Sequence, residues 1–160
     1  MTFRFDSKLV SIGVEAHDRE EAIHVVADPL VRYGYVGESY PNLVCERERE
    51  YPTGLPTKGV PVALSHADGV GQIQGNHIAV GILKTPVGFQ SMEDADEQLA
   101  VGIIFVLAMS NAHAHLEMLK VLMGLIRNED LLVSLGDMST AREVCSALND
   151  FIESVRPAAA

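Results

Sequence analysis

The chain has 160 residues, 48 % of them hydrophobic and 21 % charged, which suits one ordinary globular domain and excludes a disordered or collagen-like chain. Its 22 acidic and 12 basic residues give a formal charge of −10. So acidic a balance argues against a general nucleic-acid binder or an anionic-membrane binder, because both need a basic surface to meet phosphates.

The longest apolar run, Leu99 to Met109, is eleven residues and too short to span a bilayer. The opening Met1-Thr2-Phe3-Arg4-Phe5-Asp6 has no apolar leader segment, and Cys45 and Cys145 have no motif spacing. The expectation is a soluble, cytosolic domain over residues 5–156 with a disordered tail at 157–160.

In chain order, Leu9–Val14 reads as a short strand. Asp18 and Glu21 form a cap pair opening a helix through Ala22, Val25 and Val26. Pro29 is expected to end or kink that helix, since it lacks an N–H and crowds the preceding turn. Ser39 or Tyr40 starts a second helix, with Pro41 in its first turn, through Leu43, Val44 and Arg47 to Pro52. Pro52 to Gly59 is a loop by composition, Val60–Leu64 a strand, and Ser65 to Gly69 the turn beyond it. Ile78–Leu83 and Leu99–Ala108 are Val- and Ile-rich buried strands. Asn111 caps a helix with the stripe Leu116, Leu119, Leu122/Met123 and Ile126. Leu131–Leu135 is a short helical piece. Ser139 caps a last helix whose stripe is Val144, Leu148, Phe151, Ile152 and Val155. Alternation of strand and helix periods predicts a mixed α/β domain.

The glycines Gly69, Gly71 and Gly75 miss the dinucleotide spacing, and no Gly-Lys-Ser/Thr phosphate loop occurs. Of six histidines, His17 and His24 read as solvated surface and His77 as a structural strand opener. His113 and His115, at i and i+2, do not share a helix face as a zinc pair does. A metal site from His66, Asp68 and one of these is weakly specified by spacing. His66 stands apart: it follows a short apolar strand, in a turn of small residues, where α/β sheets collect ligand-binding groups. A neutral imidazole there is a competent nucleophile once its other nitrogen is held by a hydrogen bond.

The company of His66 is specific. Upstream stand Arg47-Glu48, then Thr53-Gly54 six residues on, then Gly59-Val60-Pro61-Val62-Ala63-Leu64-Ser65-His66. Downstream stand Lys84-Thr85-Pro86-Val87-Gly88-Phe89, Phe105-Val106-Leu107-Ala108 and His115-Leu116. Together these resemble the IIA component, fructose/mannitol/galactitol class, of the bacterial phosphoenolpyruvate-dependent sugar phosphotransferase system, over nearly the whole chain. Tyr51-Pro52-Thr53-Gly54-Leu55 leans to the galactitol-like branch. The resemblance implies one domain with a mixed sheet of about five strands and helices on both faces. It implies His66 as phosphoacceptor, Arg47 as the phosphate-binding arginine and His115 as the second site histidine, although His113 lies only two residues away. It implies a phosphocarrier protein as donor and a IIB component as acceptor, with no cofactor, metal, nucleic acid or membrane insertion. A regulatory module of the same fold, signalling through its phosphorylation state, is the alternative. Where the family has proline before the active histidine, this chain has Ser65, whose hydroxyl is expected to bond the imidazole or the phosphate.

Overall fold

The computed structural model describes residues 3–69 and 71–155. The expected tail at 157–160 lies outside these. A single 3-10 turn at Ser7–Leu9 leads into β1 (Val10–Val14), so the first strand starts one residue later than its apolar run. Then come α1 (Arg19–Arg32), α2 (Tyr40–Glu50), β2 (Gly54–Leu55), β3 (Val62–His66), β4 (Asn76–Gln90) and β5 (Gln98–Met109). Three helices follow: α3 (Ala112–Ile126), α4 (Glu129–Gly136) and α5 (Ala141–Val155).

The strands form one mixed sheet in the order β1-β4-β5-β3-β2. β1 is parallel to β4 and β3 to β5, while β4–β5 and β2–β3 are antiparallel. Helices cover both faces, as expected. Because side chains alternate along a strand, Val62 and Leu64, Val80, Phe105 and Leu107 pack with Met118, Leu122 and Leu148 beneath α3–α5. Ala63, Ala79, Ile104 and Val106 face Ile23, Val26, Leu30 and Val44 of α1 and α2. α1 lies so close to β4 that a Cβ on Gly81 would collide with Val26. That leaves glycine as the residue that permits this packing.

Several expectations need correction. α1 runs through Pro29 to Arg32. The proline sits in its last turn, and the donor it lacks would have served the carbonyl of Val25, a residue on the exposed side where solvent can take that role. His17, just before α1, is exposed as read and bonds Glu21 across the cap. β2 falls inside the expected Pro52–Gly59 loop, and β4 is fifteen residues long, carried past Leu83 by a register shift between Ile82 and Val87. Thr140, not Ser139, caps α5: its hydroxyl accepts from Glu143 N at 3.1 Å and donates to the Glu143 carboxylate at 3.1 Å. In α3 the buried face is Ala114, Met118, Leu122, Leu125 and Ile126, while Leu116 and Met123 are exposed. That helix is apolar on most sides, so periodicity does not set its phase. Val155, at the end of α5, is likewise exposed.

Candidate active site

β3 ends at His66, beside β5, and α3 starts just past the end of β5, capped by Asn111, whose side chain accepts from Ala114 N at 2.8 Å. The ends of two parallel strands and the amino end of a helix therefore meet. Between them and α2 lies a cleft of about 450 Å³ lined by Arg47, His66, Asp68, Ser110, Asn111 and His115, among others. The three residues singled out in sequence all line it. His113 does not, and its side chain is exposed.

His66 Nδ1 lies 2.8 Å from the Leu64 carbonyl oxygen. A carbonyl only accepts, so Nδ1 carries the proton and the neutral ring has its lone pair on Nε2. Burial pushes the His66 pKa down to about 4; the Leu64 bond opposes this, and the charge of Arg47 and proximity of His115 add to it. His115 faces the ring of His66 at 4.7 Å between centroids. Its pKa is also lowered, by burial first and by Arg47 second.

α2 presents alternate residues of its Glu-Arg-Glu-Arg-Glu run to different surroundings. Arg47 is half-buried at the cleft, its guanidinium 5.0 Å from the ring centroid of Tyr51, and makes no ion pair among the described residues. Arg49 points elsewhere and pairs with Glu20 at 2.6 Å. Glu48 turns inward and is 2 % exposed. Its carboxylate accepts from Thr53 N at 2.6 Å, Thr53 Oγ1 at 2.7 Å and Ser65 Oγ at 3.0 Å. The Ser65 hydroxyl is thus committed to Glu48, and the expectation that it bonds the imidazole is corrected. Strand alternation explains this: Ser65 and His66 leave β3 on opposite faces.

Tyr40 supports the cleft from the core, a role that the sequence reading missed. Fully buried, it donates to the Leu107 carbonyl at 2.7 Å and accepts from Ala67 N at 3.2 Å, which pins the turn after His66. Burial pushes its pKa up to about 12, so it remains a neutral donor. A Cβ on Gly69 would stand 2.9 Å from its ring, so the chain can pass this close only as glycine. Its position before Pro41, at a helix start, gave no sign of this role.

No group of three His, Cys, Asp or Glu among the described residues is placed to hold a metal ion. His77 is held structurally: it stacks on Tyr35 at 3.7 Å and bonds the Gln74 carbonyl at 2.9 Å. No helix among the described residues is long and apolar enough to cross a membrane.

Residues 4–151 match the family described as phosphoenolpyruvate-dependent sugar phosphotransferase system, EIIA 2. The chain belongs to this family. Among curated relatives of this EIIA 2 chain, the galactitol-specific EIIA component of Escherichia coli K12 is 27 % identical over 128 residues, which is 79 % of this chain and 83 % of that one. Among solved structures, the complex of mannitol enzyme IIA with phosphorylated mannitol enzyme IIB from Escherichia coli superposes with a TM-score of 0.74 at 21 % identity, covering 92 % of this chain and 98 % of that one. The nitrogen regulatory protein IIA-Ntr of Neisseria meningitidis gives a TM-score of 0.69 at 23 % identity, covering 90 % and 95 %. These structures share the fold of the EIIA 2 chain.

Proposed function

We propose that this EIIA 2 domain relays a phosphoryl group through His66, receiving it from a phosphohistidine on a phosphocarrier protein and passing it to a side chain of a IIB component. The observation that carries the proposal is the Nδ1–H bond to Leu64, which leaves the lone pair of a neutral imidazole on Nε2 in a cleft shared with Arg47 and His115.

In the first step Nε2 attacks the phosphorus in line. The Nε2–P bond forms as the donor's N–P bond breaks, and that electron pair returns to the donor ring. The second step repeats this with His66 as leaving group. Such transfers need mainly positioning and charge stabilisation. Arg47 supplies a planar cationic fork suited to two phosphoryl oxygens, His115 a ring N–H, and the amino end of α3 positive potential. No cofactor takes part. The acidic surface suits a basic carrier, and the domain works in the cytoplasm, where phosphoenolpyruvate is available to drive the relay.

The deciding experiment is incubation with phosphoenolpyruvate, enzyme I and the carrier protein, followed by intact mass and then by addition of a IIB component. One added phosphoryl group, lost on addition of IIB, is expected. Stable retention in the presence of every available IIB component would favour the regulatory alternative, for which the IIA-Ntr fold likeness gives a precedent.

A further inference from the structure

Glu48 is the one acidic side chain fully buried among the described residues, and nothing in the relay chemistry requires it. A carboxylate taken from water is costly unless its oxygens are hydrogen-bonded. Here three donors meet it, two from Thr53 and one from Ser65. The covalent neighbours of these groups matter more. Glu48 follows Arg47 on α2, and Ser65 precedes His66 on β3. The bond between the Ser65 hydroxyl and Glu48 therefore joins two backbones at the positions adjoining Arg47 and His66, two of the side chains that line the cleft. Thr53, beside β2, closes the third side: its carbonyl accepts from Leu64 N at 3.4 Å, and Leu64 is the residue whose carbonyl holds His66 Nδ1.

We propose that Glu48 is a positioning residue, and that its hydrogen bond from Ser65 sets the separation and orientation of Arg47 and His66. Serine at this position ties the strand end to α2 by a side-chain bond, where proline would stiffen the strand end by its ring. The proposal rests on the relay reading for its functional consequence, but not for its geometric one.

The test is a double-mutant cycle with an independent structural readout. Ser65→Ala keeps both Thr53 bonds to Glu48, and thermal unfolding confirms that it folds. Should it not fold, Ser65→Thr and Ser65→Val, which differ in the hydroxyl alone, replace it. The ring ¹⁵N spectrum of His66 reads its tautomer directly. A single Nδ1–H form is expected in the parent, and exchange broadening or a mixture of tautomers without the hydroxyl. The rate of phosphoryl uptake should fall about ten- to a hundredfold with Ser65→Ala when Arg47 is present, the size expected for misplacing a reacting pair. It should hardly fall further in an Arg47→Ala background, because the effect acts through Arg47. An unchanged His66 ring spectrum, or equal slowing in both backgrounds, overturns the proposal. If the parent takes up no phosphoryl group, the relay reading fails, and the ring spectrum alone then decides the positioning role.

Discussion

His66 and His115 face each other across the cleft with ring centroids 4.7 Å apart and planes tilted by 54°. Burial lowers both pKa values first, the charge of Arg47 on the same cleft lowers both further, and His115 adds to the shift of His66. The pair is unequal, because the Nδ1–H bond to Leu64 belongs to His66. His66→Ala is therefore expected to abolish phosphoryl uptake, whereas His115→Ala should slow it by about ten- to a thousandfold, the range for losing one stabilising donor. His113→Ala, at an exposed position, should leave the rate unchanged. Intact mass against time distinguishes the three. Full labelling of His66→Ala would remove the central assignment.

The depressed pKa of His66 has a pH consequence with a definite sign. From its ordinary value of 6.5 it falls to about 4 in the fold. Between those values the unfolded chain binds a proton that the native ring refuses, so stability declines as pH falls through this window. Above 6.5 both states are neutral and His66 contributes no slope. Denaturant midpoints of the parent should drop more between pH 6.5 and 4 than those of His66→Gln, and the two curves should run parallel above that window. Parallel curves throughout would mean that the ring is solvated.

Arg47 and Arg49 offer a matched comparison within one helix. Arg47→Lys replaces a bidentate fork with a point charge at the cleft and should slow uptake at least tenfold, with little change in stability. Arg49→Lys keeps the charge opposite Glu20 on an exposed surface and should change neither by much. Uptake rates and melting temperatures of the two variants settle this. Equal effects on rate would show that the run is merely a charged surface.

Several strands and helices, and the strand-end place of His66, are legible because each rests on short-range signals. The five-stranded sheet and the company of Arg47 and His115 come only with the family resemblance. Val- and Ile-rich runs mark β4 and β5, a short apolar run marks β3 two residues early, and Asp18 and Asn111 cap their helices as read. What escaped depends on partners distant in sequence. Two-residue β2 pairs with β3 only because Gly54 and Leu55 reach it across a loop. The length of β4 comes from β5, which holds Val87–Gln90 in register after the bulge. The exposed side of α3 was misread because Leu116 and Met123 look like core by composition, and only the sheet decides which face it covers. At the site, the burial of Glu48 is hidden in a charged run, and Ser65, read as part of the turn after the strand, lies within β3 and leaves it on the face opposite His66.

Tyr40 links the two strands that bring the site together, and its loss should be felt in stability first. Its hydroxyl donates to the carbonyl of Leu107, the residue paired with His66 across β3 and β5, and accepts from the N–H of Ala67. Tyr40→Phe keeps the ring in the core but leaves a buried carbonyl and an N–H without this partner. A loss of about 1–3 kcal/mol is expected, the usual consequence of stranding buried polar groups. It should appear as a lower denaturant midpoint with an unchanged slope, since the surface exposed on unfolding stays the same. Tyr33→Phe is the control: its ring is half exposed and keeps its contact with Lys8 without the hydroxyl. Phosphoryl uptake by Tyr40→Phe should fall as well, because the turn from Ala67 to Gly69 loses its tie to β5 beside His66. If Tyr40→Phe is no less stable than Tyr33→Phe, the hydroxyl does not hold the strand ends together, and the order of the turn must come from Gly69 packing on the Tyr40 ring alone.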